Sequence, residues 1–269
     1  MTARSRQQSS SSIGKGHDMK RNCEISIIMA AYNAERTVQR AIESVLAQSY
    51  QNYELLVIND CSTDRTVEIV QTFSDERIRL IQNERNMGVS YTRKHGLDEA
   101  RGEWIAVLDS DDAWMPDKLE KQVQLQKTKN AELIFTGSSF MNSNGDALDW
   151  VLHVPKTMHY RQLLKQNLIS NSSVLVRKRL YAQYYTAGDQ MHEDFAIWLK
   201  ILKCGIMAYG IDEPLLIYRL TEHSKSSNKL KAAQMNWNTY RAVGLNVLSA
   251  LYYECWYIIR GFLKYSHLK

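Results

Sequence analysis

The sequence predicts an α/β fold: a Rossmann-like, mostly parallel sheet flanked by helices, with a helical extension at the C-terminus. Three observations carry this. From residue 24 onward, short apolar runs alternate with amphipathic stretches of helical length, the pattern of βαβ units. Two of the apolar runs end directly in a carboxylate, Asp60 and Asp109. From Lys231 to Leu263, aromatic and aliphatic residues recur in steps of three, four and seven, the spacing of one or two amphipathic helices.

The elements follow in order. Residues 1–22 place Arg4, Arg6, Lys15, Lys20 and Arg21 around a Ser/Gln run with no apolar stretch, so disorder is expected there and a secretory signal is not. Glu24–Met29 reads as a first strand. Ala34–Gln48 reads as a helix, with Val38, Ala41, Ile42 and Val45 on one face and Asn33 as its N-cap. Glu54–Asn59, Ile78–Gln82 and Trp104–Leu108 read as further strands. Helices are expected around Val67, Val70 and Phe73 and over Val89–Ala100. Beyond Asp109 the pattern loosens. Pro116 suits a first helical position, with Leu119 and Val123 on one face. Strands are expected at Glu132–Thr136, Ser172–Val176 and Leu215–Leu220, a hairpin turn at Asn144-Gly145, and a helix over Asp194–Lys203. This divides the chain into 1–22, a main domain at 23–228 and a helical extension at 229–269.

Composition narrows the function. With 269 residues, 44% of them hydrophobic and 23% charged, the chain suits one large globular domain. Its four cysteines form no CxxC pair, which argues against a zinc ribbon or disulfide framework and fits a reducing cytosol. A net charge of +5 is too mild to single out nucleic acid as a partner. No run reaches the roughly 18 apolar residues of a membrane span. The first strand is not followed by GxGxxG, which disfavours a dinucleotide-dependent dehydrogenase, and no P-loop occurs.

The informative cluster is Asp109-Ser110-Asp111-Asp112, at the end of the fourth strand. In open α/β sheets ligands sit beyond the carboxyl ends of the strands. Carboxylates this close repel one another unless a cation compensates. Mg²⁺ or Mn²⁺ characteristically binds one or two carboxylates together with substrate phosphates. A solvated acidic turn is the alternative.

Six stretches, in order and at ordinary spacing, carry a resemblance: ISIIMAAYN (25–33), LAQSY (46–50), VINDCSTDRT (57–66), NERNMGVSYTR (83–93), GEWIAVLDSDDAW (102–114) and EDFAIWL (193–199). Together they resemble the inverting glycosyltransferase family 2, over about residues 24–220. The resemblance implies the GT-A fold, a nucleotide-sugar donor (UDP-linked), a glycan or lipid-linked acceptor, and a Mn²⁺ or Mg²⁺ cofactor. It implies that Ala30 and Tyr32 pack on the nucleotide base and that Asp60 accepts a hydrogen bond from a uracil. Arg93 would reach the nucleotide. Asp109 and Asp111 would contact it or the metal, and Asp112 the metal. Many members carry proline where Ala31 stands. Asp194, at the opening of a helix, would be the base that deprotonates the acceptor hydroxyl, with helix capping as its alternative role. Glu193 and Trp198 are expected in the acceptor or sugar pocket, an ordinary core position being the alternative for Trp198. His223 is a further candidate for metal or diphosphate contact.

No transmembrane helices and no Gln-x-x-Arg-Trp motif accompany these stretches, so transfer of one or a few sugars is expected rather than polymer extrusion. A catalytically inactive scaffold in a glycan pathway is the alternative function. The basic, aromatic-rich segment 229–269 is expected to contact a membrane peripherally, at the inner face of the plasma membrane, or to pack on the catalytic domain or on a second subunit as a homo-oligomer.

Overall fold

Along the first strand, β1 (Ile25–Ala31), alternate residues face opposite sides of the sheet, and this two-residue period builds two cores. Ile25, Ile27 and Met29 pack against Val38, Ala41, Ile42 and Val45 of helix α1 (Val38–Leu46). Ile28 faces the other way, toward Leu97 of α3 (Val89–Glu99). The second strand β2 (Tyr53–Asn59) repeats this, with Leu55 and Val57 on the α1 side and Leu56 and Ile58 on the α3 side. The computed structural model describes residues 23–188, 190–220 and 229–265.

Helix α2 (Thr66–Gln71), strand β3 (Ile78–Gln82) and strand β4 (Trp104–Val107) complete the first half. Strands β3, β2, β1 and β4 lie in that order, all parallel, so their carboxyl ends share one edge. Helix α3 sits unusually close to the sheet at Gly96, where a Cβ would lie 2.6 Å from Ile28 and 2.7 Å from Ile58.

The second half adds β5 (Ala113–Trp114), α4 (Lys118–Lys129), β6 (Leu133–Met141), β7 (Ala147–Leu152) and β8 (Thr157–Met158). It continues with α5 (Tyr160–Lys165), a 3-10 turn (Asn171–Ser173), β9 (Leu175–Arg177), α6 (Lys178–Tyr184), α7 (Glu193–Lys203) and β10 (Ala208–Arg219). The main path of the ten-stranded sheet runs β3-β2-β1-β4-β9-β6-β10-β5, with β7 paired to β6 and β8 to β10. Strand β9 enters antiparallel between β4 and β6, so the parallel character belongs to the first four strands and the β6–β10 pair. Two helices, α8 (Lys229–Ala242) and α9 (Val247–Tyr265), follow and pack on the α3 side, where Tyr240, Val243 and Ala250 join the core. Among the described residues no helix is long and apolar enough to cross a membrane.

Local expectations change in three places. Asn33 does not cap α1: it adopts φ 48°, its side chain accepts the Thr63 N–H at 2.8 Å, and the helix starts at Val38. Pro116 lies two residues ahead of α4 rather than inside it. Residues 171–173 form a 3-10 turn ahead of a three-residue strand, and the Ser172 and Ser173 carbonyls accept bonds from the Trp114 and Gln122 side chains instead of joining the sheet.

Candidate active site

The shared edge of the parallel strands opens into a cleft of about 960 Å³. Its first wall is the loop after β1. Ala30, Ala31 and Tyr32 line it, and the Tyr32 ring is half exposed, free to receive a planar group.

Asp60 stands one residue past β2 and is buried at its base. Its Oδ1 accepts the Met87 N–H at 2.8 Å and the Asn83 amide at 2.7 Å, while Oδ2 accepts the Gly88 N–H at 2.9 Å. The carboxylate therefore fixes the turn that enters α3. Gly88 has φ 82°, a conformation that costs a glycine little. Oδ2, with one acceptor direction used, retains capacity for a second donor from the cleft.

Arg93 projects from the second turn of α3 into the middle of the site. Its guanidinium donates to Asp109 Oδ1 at 2.5 Å and to Glu193 Oε1 at 3.2 Å. Asn171 faces the same group, and its amide oxygen, turned toward it, lies 3.2 and 3.3 Å from Nε and Nη2. Tyr185 adds a hydroxyl bond to Glu193 at 3.1 Å. Burial alone would weaken the protonated guanidinium, but Asp109 and Glu193 outweigh that and hold its pKa well above the ordinary arginine value. Arg93 thus joins α3, the acidic loop and the start of α7, while one side of it borders the cleft.

Asp109 and Asp111 face the cleft. Asp109 is tethered through its backbone N–H to the Ser172 hydroxyl at 3.1 Å. Burial and the neighbouring Asp109 charge push Asp111 up to about 6. Asp112 is placed differently from the expected metal ligand. It is buried behind the loop, away from the cleft lining, and its Oδ1 accepts the Arg219 N–H at 2.9 Å. Among the described residues its Oδ2 has no hydrogen-bond partner, and burial together with Asp111 and Asp109 raises its pKa well above the usual carboxylate range.

Arg219, at the end of β10, closes the loop from outside. Its Nε donates to the Asp111 carbonyl at 2.9 Å and its Nη1 to the Ser143 carbonyl at 3.0 Å.

This donor set fits a hard divalent cation. Asp109 and Asp111 stand side by side, Asp111 holds its proton more tightly than usual, and a cation would relieve both effects. Among the described residues no three His, Cys, Asp or Glu side chains converge on one point. The protein thus offers an open, partial ligand set, of the kind that Mg²⁺ or Mn²⁺ completes with water and phosphate oxygens. Asp111, with Asp109 beside it, is the group that would hold it.

The opposite wall is the opening of α7. Asp194 lines the cleft, and burial raises its pKa against the lowering effects of His192 and Arg93. The segment is braced by α8, whose Thr239 hydroxyl accepts the His192 N–H at 3.0 Å and donates to the Met235 carbonyl at 2.9 Å. Glu193 also borders the cleft but spends its carboxylate on Arg93 and Tyr185. Trp198 corrects the pocket expectation: it is fully buried and stacks on Tyr181, with ring centroids 5.7 Å apart. Helix α7 is enclosed nearly all round, so the turn after Asp194 points into the core. His223 lies outside the described residues.

Arg219, Asn171, Ser172 and Thr239 were not foreseeable from spacing. Each acts on a partner tens of residues away, and none stands in a motif.

Residues 26–182 match the family model described as Glycosyl transferase family 2. Over 244 residues the chain is 37% identical to UDP-Glc:alpha-D-GlcNAc-diphosphoundecaprenol beta-1,3-glucosyltransferase WfgD of Escherichia coli, covering 90% of this chain and 95% of that protein. Its fold is similar to that of S. aureus TarS 1–349, solved with UDP-GlcNAc, with a TM-score of 0.69, 17% identity and coverage of 89% of this chain and 72% of that one. The mannosyltransferase PcManGT of Pyrobaculum calidifontis, solved with GDP-Man and Mn²⁺, aligns with a TM-score of 0.66 at 16% identity, covering 86% of this chain and 69% of that one. Alternating strands, an acid-lined cleft at their carboxyl edge and a family match over more than half of the sequence lead to one conclusion: the chain is a member of glycosyltransferase family 2.

Proposed function

We propose that the protein is an inverting, metal-assisted transferase that moves a hexosyl or N-acetylhexosaminyl group from a UDP-sugar to a hydroxyl of a glycan or lipid-linked acceptor during cell-surface polysaccharide synthesis. The observation that carries this is the grouping of Asp60, Asp111 and Asp194 around one cleft, the first two on loops after parallel strands and the third in the first turn of α7. The UDP-glucose donor and diphosphoundecaprenol-linked acceptor of WfgD, and the Mn²⁺ with GDP-Man in PcManGT, support the choice of ligands.

In this reading Tyr32 stacks on the base, beside Ala30, and Asp60 Oδ2 accepts its imide N–H. Asp109 and Asp111 lie at the ribose and diphosphate. Asp111 would hold a divalent cation, which when bound would supply charge stabilisation at the departing diphosphate. Asp194 accepts the acceptor hydroxyl's proton as that oxygen bonds to the anomeric carbon and the bond to the diphosphate breaks on the opposite face. Its raised pKa improves its match to a proton acceptor working near neutrality. Arg93 holds Asp109 and Glu193 in register and forms part of the nucleotide wall. The elements from β1 to β10 supply this machinery, and α8 braces it through Thr239.

The test is nucleotide release from a panel of UDP-sugars with and without Mn²⁺, followed by NMR of the product linkage. Metal-stimulated release and an inverted anomeric configuration are expected. Retention of configuration would refute the single-displacement mechanism, and release insensitive to metal would refute the cation's role.

A further inference from the structure

Helix α9 has two faces. Ala250, Tyr253 and Tyr257 turn inward to the core, and Tyr257 also lines the cleft. On the other side Leu248, Leu251, Tyr252, Cys255 and Ile259 form a stripe at helical spacing, all of them exposed. Leu248 is 80% exposed. A continuous apolar stripe of this kind on a surface helix signals a partner.

Beside the stripe, α5 and α9 enclose a hollow of about 370 Å³ bordered by Arg161, Lys165 and Arg260. Trp256 lies between two of these cations, 5.2 Å from Lys165 Nζ and 5.8 Å from the Arg260 guanidinium. Among the described side chains of α5 and α9 the sole acid is Glu254, and its carboxylate oxygens are buried. The surface therefore combines an apolar stripe, an interfacial tryptophan and unopposed positive charge. Self-association about a two-fold axis would bring the same cations together. Residues 1–22 contain only Met1, Ile13 and Met19 as large apolar side chains, too few to cover the stripe.

We infer that α9 lies in the surface of an anionic phospholipid bilayer, with its apolar stripe among the acyl chains and Arg161, Lys165 and Arg260 among lipid phosphates. An amphipathic helix with a cationic flank binds in this way. Because a helix is only about 10–12 Å across, Tyr257 on the inner face sets the cleft beside the headgroup layer. A lipid-linked acceptor would meet the cleft there. Docking itself does not depend on the transfer reaction, and it is read without donor or acceptor.

The experiment is co-sedimentation of the full chain with phosphatidylcholine vesicles, with and without phosphatidylglycerol, alongside light scattering of the free protein. The wild type should bind the phosphatidylglycerol vesicles at least about tenfold more tightly, and Arg161→Glu with Arg260→Glu should abolish that preference. Leu248→Glu with Ile259→Glu should abolish binding while leaving thermal unfolding unchanged, since both side chains are exposed. Equal binding to the two vesicle types, or binding that survives the stripe substitutions, would overturn the inference. So would a wild-type dimer that the stripe substitutions dissociate, which would assign the face to a second copy.

Discussion

Asp60 and Asp111 are both carboxylates just beyond parallel strands, yet the fold treats them in opposite ways. Asp60 accepts three hydrogen bonds from the turn before α3, which hold it in the scaffold and leave one acceptor direction of Oδ2 toward the cleft. Asp111 stands among other carboxylates, pushed up to about 6 by burial and by Asp109. One carboxylate is bonded into the wall of the cleft, and the other is held among like charges. Stability and reactivity are therefore assigned to different strand ends of the same sheet, and substitutions should separate them.

The largest effect is expected at the unsatisfied end. Asp111→Asn should lower metal-dependent transfer by about 10²–10⁴-fold while leaving the fold intact, because the cation loses its ligand and the loop loses a repulsive charge. Steady-state rates over a Mn²⁺ titration would show this. A variant as active as the wild type at low Mn²⁺ would remove Asp111 from the metal site.

Arg93 connects the two ends, so its loss should be next in size. Arg93→Met leaves Glu193 buried without its cation and should cost about 3–5 kcal/mol in denaturant unfolding. Asp60→Ala should cost less, about 2–3 kcal/mol, by leaving the Met87 and Gly88 N–H groups and the Asn83 amide without an acceptor. Loss of stability at Asp111→Asn larger than at Asp60→Ala would invert the comparison.

The pH dependence sharpens it further. Asp111 has a folded pKa raised from 3.8 to about 6, so the folded protein holds more protons across that window. Its contribution to metal-free stability is present below about pH 4 and lost as pH rises through about 6. A bound cation removes the penalty, so the Mn²⁺-induced rise in Tm should grow across the same window. A rise that shrinks with pH would contradict the assignment. The smallest effect is expected at Trp198→Phe, about 1–2 kcal/mol of stability with transfer unchanged, because this side chain packs in the core.

The first half of the fold was legible because β1, β2 and β4 are buried on both faces and the helices on one, so strand runs and helical spacing stand out. The strand ends carrying Asp60 and Asp109 could then be set on one edge without coordinates. The second half was harder. Strand β9 is three residues long and antiparallel, too short for any periodicity to declare it. Helix α7 is buried nearly all round, so its sequence gives no phase by which to tell a pocket Trp198 from a core one. The bonds that complete the site, from Arg219 to Asp111 and from Arg93 to Glu193, span 108 and 100 residues. They depend on β10 lying beside β5 and on α7 facing α3, and local pattern is silent on both. Asp112 shows the same limit within a single motif. Neighbouring carboxylates look equivalent in sequence, but the backbone turns one into the cleft and the other behind the loop.

The central claim is that Asp194 serves as the base while the other cleft carboxylates hold the donor. Asp194→Asn tests it most directly, by calorimetric titration of UDP with Mn²⁺ beside transfer rates on the same preparation. Nucleotide affinity within about twofold of wild type, with transfer reduced by about 10²–10⁴-fold, is the expected result. Unchanged transfer, or transfer and nucleotide affinity falling together, would contradict it.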